Sequence, residues 1–330
     1  MNGFWRDRPV LVTGAAGLLG SWLVEALLER DARVVVLLRD IVPDALFQTS
    51  GSARRSVVVL GDVADGRVVE RTIVEYEIDS VFHLAAQTIV GHALRDPLST
   101  FRSNIEGTWE LLDACRRSNR ATRVVVASSD KAYGSQAVLP YTEDQPLEGR
   151  HPYDVSKSCA DLIAQTYATT YELPVVVTRC GNLYGGGDLN FNRLVPGAVR
   201  AALAGEHVVL RSDGTPVRDY IYVEDAVDAY LTLAERAHEP GIVGRAWNFS
   251  TESPMSSLEM AWAVARTAGR PDLGPVIEGT ATHEIQEQYL SAAAARRDLG
   301  WAPAYGLEVG LRRTIEWYRG YLGRQLRAVA

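Results

Sequence analysis

Short apolar runs recur along the first half of the chain, and amphipathic stretches of helical period lie between them. The runs at 10–13, 33–38, 56–60, 80–84, 123–127 and 174–178 are rich in Val and Leu, several without a polar interruption. A strand buried on one face alternates apolar and polar residues, whereas one covered on both faces reads as a continuous apolar run. The runs therefore predict strands of a parallel sheet with helices on both faces. Stretches 18–30, 67–76, 104–117 and 152–171 carry apolar residues at helical spacing and supply those helices. Strands alternating with helices define an α/β fold.

Past about residue 182 the texture changes to Gly-rich and Asn-rich loops, short strands such as 208–210 and 247–249, and helices broken by Pro and Gly. The pattern predicts a first domain over 1–182 and a smaller lobe over 183–330. A long amphipathic stretch at 223–237 follows Tyr220-Ile221-Tyr222 and reads as a segment, about 220–240, that returns to the first domain. The amphipathic stretch 307–326 closes the chain.

Composition removes several classes of function. The 330 residues include 34 basic and 41 acidic side chains, a net charge of −7, with 47% apolar residues. An acidic balance argues against nucleic acid as a partner. No apolar run reaches the ~20 residues of a membrane-spanning helix, and the opening Met1-Asn2-Gly3-Phe4-Trp5-Arg6 leads straight into a strand, so the expected location is the cytoplasm. Cys115, Cys159 and Cys180 form no C-x-x-C pair and read as small buried apolar residues. The six histidines, among them His83, His151 and His283, give no ligand pair at metal-binding spacing, so no metal is expected. Only Lys131 and Lys157 among the basic residues are lysines. An amine shifts its pKa far enough for proton chemistry and a guanidinium does not, which singles out both.

Immediately after the first strand comes Thr13-Gly14-Ala15-Ala16-Gly17-Leu18-Leu19-Gly20, with a helix beginning inside it. Glycines there permit a tight turn and close approach of a pyrophosphate to the amides of Leu18 and Leu19 at the positive end of the helix. This predicts a Rossmann-type dinucleotide site. Arg39-Asp40 stands where an acidic residue would normally hold the adenosine ribose. Arg39 suits a 2′-phosphate and Asp40 a ribose, so the residues leave NAD and NADP both open. Asp62, followed by Val63, is placed for the adenine edge, or to cap a helix.

Tyr153 and Lys157 lie four apart on one predicted helix and share a face. The lysine's charge, with that of an oxidised nicotinamide, is expected to lower the phenol's pKa until Tyr153 serves as general base toward a substrate hydroxyl. Ser128-Ser129 end a strand upstream, where a hydroxyl holds the same oxygen.

Together these residues resemble the extended short-chain dehydrogenase/reductases, in their nucleotide-sugar epimerase and dehydratase branch, over nearly the whole chain. The resemblance rests on the glycine turn, on Phe82-His83-Leu84-Ala85-Ala86-Gln87, on Asn104-Ile105-Glu106-Gly107-Thr108, and on the segments from Ser128 to Gly134, Arg179 to Gly185 and Arg218 to Asp225, with the Tyr153/Lys157 pair. It implies a tightly bound NAD or NADP, favouring NAD, with Gly14, Gly17, Gly20, Leu84, Ala85 and Ala86 lining its site. It also implies that Ser129, Tyr153 and Lys157 are catalytic, that Asn104 supports the active-site helix, and that Asn182 and Arg218 bind the diphosphate of a sugar nucleotide. Gln87 and Arg193 are further substrate candidates. A homodimer paired through the helices at 104–117 and 152–171 is implied as well.

Within the branch, Ser129-Asp130-Lys131 is similar to the CDP-glucose 4,6-dehydratases, with Asp130 as acid for the departing C6 hydroxyl and Lys131 or a water as base at C5. The 218–223 loop departs from that subgroup and follows the general form, leaving the nucleotide base open. Lys131 read structurally is instead one partner of a salt bridge with Asp130. A sugar-nucleotide 4-epimerase is the alternative reading. A third is a dinucleotide-binding regulator without turnover, against which the intact Tyr153 and Lys157 stand.

Overall fold

The computed structural model describes residues 3–280 and 285–329; His283, Met1 and Asn2 lie outside them. Seven parallel strands form the main sheet: β1 (Pro9–Thr13), β2 (Arg33–Leu38), β3 (Val57–Leu60), β4 (Ser80–His83), β5 (Arg123–Ala127), β6 (Val175–Cys180) and, after four shorter strands, β11 (Ala246–Phe249). Those four are β7 (Asn182–Tyr184), β8 (Val209–Leu210), β9 (Val217–Arg218) and β10 (Tyr220–Tyr222), and β12 (Met255–Ser256), β13 (Val276–Ile277) and β14 (Glu287–Gln288) follow. The main sheet runs β11-β6-β5-β4-β1-β2-β3. The chain winds outward one way through β2 and β3, then restarts beside β1 with β4. That reversal opens a crevice at the carboxyl ends of β1 and β4, where ligands of such sheets bind.

Strand residues alternate between two cores. Val10, Val12, Val34, Val36, Phe82, Val125, Val176 and Trp247 face one, and Leu11, Val35, Leu37, Val81, Val124, Val126 and Val175 face the other. The doubly wound α/β sheet predicted from the apolar runs is thus present. Three expectations differ. Residues 247–249 belong to this sheet, as its outer strand beside β6, not to the smaller lobe. β3 is the opposite edge, and Val57, Val58 and Leu60 are exposed although their sequence is as apolar as that of the buried strands. The helix predicted from residue 104 starts as a wide π-turn over Arg102–Glu106 before the α-helix Gly107–Ser118. Asn104 sits in that turn, its side chain drawn to the Gln87 backbone and to Ser156. π-turns of this kind accompany functional positions.

The catalytic-candidate helix, Pro152–Tyr171, packs on the end of β6 through one buried ion pair. The guanidinium of Arg179 on β6 donates to both carboxylate oxygens of Asp161, at 2.8 and 2.9 Å, and to the Tyr133 hydroxyl at 2.7 Å. Arg179→Met is expected to strand a buried carboxylate and cost about 3 kcal/mol in denaturant-induced unfolding. A loss within about 0.5 kcal/mol would mean that the pair does not anchor the helix.

Candidate active site

The glycine turn lies at the carboxyl end of β1. Gly14 has φ +75°, and a Cβ there would stand 2.7 Å from the Ala85 amide nitrogen and the Leu84 carbonyl carbon. A Cβ on Gly20 would strike the Gly14 carbonyl oxygen, so helix Leu18–Glu29 can pack against the turn only through glycine. No side chain caps this helix at Gly17. Its first-turn amides at Leu18 and Leu19 are left to meet an anion. Leu84, Ala85 and Ala86 follow β4 directly alongside, and the Thr13 hydroxyl accepts from the amides of Leu84 and Ala85, both at 3.1 Å. These features fit a dinucleotide pyrophosphate.

Thr13 also fixes a buried polar chain. Because its oxygen accepts two amides, its proton goes to His83 Nδ1 at 3.0 Å, and His83 Nε2–H then donates to Thr108 Oγ1 at 3.0 Å. Thr108 donates to the Asn104 carbonyl, Asn104 Nδ2 to Ser156, and Ser156 to the Tyr153 carbonyl. Burial, with Lys157 adding to it, pushes the His83 pKa down to about 3, so the imidazole stays neutral and keeps this tautomer. The glycine turn at the end of β1 is thereby tied to the backbone of Tyr153.

At the adenosine end, Arg39 and Asp40 follow β2 and pair with each other at 2.7 Å, both about two-thirds exposed. The Arg39 charge is engaged by a carboxylate. Asp62 accepts from the Ala64 amide at 3.0 Å, while the following helix is capped by Asp65. Val63 is buried under Gly107, whose Cβ position it fills.

Tyr153 and Lys157 are both buried on Pro152–Tyr171. The expectation that Lys157 lowers the phenol's pKa needs correcting. Lys157 Nζ donates to the Ala127 carbonyl at 2.8 Å. Burial pushes the Tyr153 pKa up to about 12, and the charge that pulls it back down is Arg193, helped by a hydrogen bond with Ser129. Burial brings Lys157 down to about 8, with Asp161 opposing. The ammonium's pKa is thus below its unfolded value of 10.5, and between about pH 8 and 10.5 the unfolded chain binds the extra proton. Folding at this site therefore gains as pH rises through that window. Relative to Lys157→Met, the wild-type stability is expected to increase from pH 7.5 to 10.5 by up to about 3 kcal/mol in denaturant titrations. A difference constant with pH would place the amine in water.

Ser129, Asp130 and Lys131 form a compact group at the end of β5. Ser129 Oγ donates to Asp130 Oδ1 at 2.9 Å, and Lys131 Nζ donates to Asp130 Oδ2 at 3.1 Å. The salt bridge foreseen as the structural role of Lys131 is present. A residue that the sequence did not single out completes the group: Gln288 of β14 accepts from Lys131 Nζ. It lies 157 positions away on a two-residue strand, with no motif to mark it. The Ser128 hydroxyl is buried and has no hydrogen-bond partner among the described residues.

The substrate candidates are more dispersed. Arg193 reaches Asp188 and Thr88, both at 2.9 Å, at the start of helix Leu194–Ala204. Arg218 rests on the carbonyls of Val217 and Gln286 at 2.8 and 3.3 Å. Asn182 begins β7, paired in register with Tyr220. Gln87 turns its side chain back onto the Ile89 backbone, away from the free role expected for it.

A doubly wound sheet, a glycine turn at its switch point and a Ser/Tyr/Lys group at the neighbouring strand end define a dinucleotide-dependent short-chain dehydrogenase/reductase fold. The chain belongs to the NAD dependent epimerase/dehydratase family, which matches residues 10–248. It is 29% identical to a CDP-glucose 4,6-dehydratase of Salmonella typhimurium over 97% of this chain and 93% of that one. A dTDP-glucose 4,6-dehydratase from Streptomyces venezuelae, solved with NAD bound, superposes with a TM-score of 0.86 at 27% identity, covering 96% of this chain and 98% of the other. A UDP-glucose 4-epimerase from Thermotoga maritima, solved with UDP-glucose, also gives 0.86, at 28% identity over 95% and 99%. Among the described residues, no helix is long and apolar enough to cross a membrane.

Proposed function

We propose that the protein is an NDP-hexose 4,6-dehydratase, converting CDP-glucose or a similar sugar nucleotide to the NDP-4-keto-6-deoxyhexose. The observation that carries this reading is the Asp130–Lys131 pair, bonded to Ser129 at the end of β5. Epimerisation at C4 needs one base. Loss of the C6 hydroxyl needs a second base at C5 and an acid at O6.

Bound NAD, held by Gly14 to Gly20, Leu84 to Ala86 and the Asp62-Val63 edge, supplies a hydride acceptor and donor and, when oxidised, a positive charge that lowers the Tyr153 pKa. Tyr153 takes the O4 proton, with Ser129 and the Ser128 hydroxyl available to orient that oxygen. Lys157 holds its amine on the Ala127 carbonyl at the same strand end. One proton moved across the 3.1 Å from Lys131 Nζ to Asp130 Oδ2 turns the ion pair into an amine and a carboxylic acid. The amine removes the C5 proton, the acid protonates the departing C6 oxygen as water, and Lys131 later returns its proton to C5. The proton Tyr153 gains equals the one Asp130 loses, so the cycle closes with one proton exchanged through solvent.

The 183–330 lobe, through Asn182, Arg193 and Arg218 at its border, binds the nucleotide diphosphate in this reading. Exposed Leu98, Trp109, Leu162 and Tyr171 on neighbouring helices support a homodimer, and a biosynthetic role on soluble sugar nucleotides supports a cytoplasmic location. Similarity to the 4-epimerase favours the second reading, in which Asp130 and Lys131 bind sugar hydroxyls. Mass spectrometry of products from CDP-, dTDP-, UDP- and GDP-hexoses separates the two. Loss of one water from one of them is the expected result, and a C4-inverted sugar of unchanged mass would replace dehydration by epimerisation.

A further inference from the structure

Gln288 is fully buried on β14 and touches both halves of the acid–base pair. Its Nε2 donates to the backbone carbonyls of Asp130, at 3.1 Å, and Gly134, at 3.3 Å. Turned over, the amide would set its oxygen against two carbonyls, so its oxygen must face Lys131 Nζ, which donates to it. An ammonium has three protons. Asp130 and Gln288 take two, and no other described residue accepts from Nζ. The remaining N–H is directed away from both partners, and rotation about the Cε–Nζ bond brings the lone pair to that position once a proton has passed to Asp130. Gln288 is also neutral. It holds the amine in place without the second anion that would keep it protonated.

We propose that Gln288 is a positioning residue that aims the Lys131 amine at the sugar C5 while leaving it free to deprotonate; this rests on the dehydratase reading above. β14 pairs in parallel register with β9, placing Gln288 beside Arg218, so the strand that carries the support of the base is paired with the one that carries the diphosphate candidate. The charged and titratable groups around the pair are Asp154 and Tyr153 from Pro152–Tyr171, Cys180 at the end of β6, Asp219 and Arg218 from the β9–β10 segment, and Tyr141. None of them contacts Gln288 through its side chain in the hydrogen bonds described above, so substitution at 288 acts on Lys131 and the 130–134 turn.

Two variants test it in the intact enzyme. Gln288→Leu is expected to lower kcat on the sugar nucleotide that the wild type dehydrates, and exchange of the C5 hydrogen in D2O, together by roughly tenfold to a hundredfold, as misplacing a reacting group does. The rate of C4 oxidation in a single turnover stays near that of the wild type. Gln288→Glu keeps shape and acceptor but adds an anion beside Nζ. The rising limb of its kcat–pH profile is expected to move up by about one pH unit. Unchanged C5 exchange in Gln288→Leu, or equal loss of oxidation and exchange, overturns the proposal, as does an unmoved profile in Gln288→Glu. If Gln288→Leu does not fold, the near-isosteric Glu variant decides alone. A wild type that forms no 4-keto-6-deoxy product fails the dehydratase reading itself, a result distinct from any of these.

Discussion

Tyr153→Phe is expected to lower kcat by about 10³-fold while leaving substrate and dinucleotide affinity within about twofold, because the phenol oxygen acts on the proton in flight and not on ground-state binding. The geometry makes the effect large. The phenol is buried, and that burial pushes its pKa up to about 12. An ordinary tyrosine in such a place would be an inert core residue. What makes it reactive is positive charge arriving with the oxidised dinucleotide, added to that of Arg193, so the variant's loss should be greatest where wild-type Tyr153 is ionised. Steady-state rates across pH, with affinities from equilibrium titration, check this. Wild-type kcat in Tyr153→Phe would remove the phenol from the chemistry.

The second large effect is expected at the Asp130–Lys131 pair. Lys131→Arg keeps a cation beside Asp130 yet cannot release a proton near neutral pH, and Asp130→Asn keeps shape without an acid. Each is expected to slow water loss by about 10²- to 10³-fold. The ultraviolet change that follows sugar oxidation at C4 should persist, because Tyr153 is intact. Rapid-mixing absorbance and product mass spectrometry read the two steps separately. Full dehydration by Lys131→Arg would leave the salt bridge as the only role of that lysine.

The sheet was legible because strands buried on two faces must be apolar throughout, whereas the order of those strands is visible only in the fold. β3 misled for the same reason: Val57, Val58 and Leu60 are as apolar as a central strand, and only the topology makes them an edge. Residues 247–249 read as part of the lobe in sequence because pairing between strands whose partners lie 69 positions apart leaves no local mark. The site was readable where spacing alone sets geometry. Tyr153 and Lys157 share a helix face, and Ser129 to Lys131 follow one strand end. Charge environment was not readable: which cation acts on Tyr153 depends on a loop that folds back from Asp188 to Arg193, and the partner of Lys131 depends on a strand near the end of the chain. Long-range polar contacts of this kind carry no period and no motif.

Incubating the enzyme with a sugar nucleotide bearing deuterium at C4, and locating the label in the product by NMR, tests the central claim most directly. Internal transfer predicts a 4-keto-6-deoxyhexose with the deuterium retained on the new C6 methyl group. Deuterium found back at C4 of a hexose that keeps its C6 hydroxyl, or lost to solvent, would contradict it.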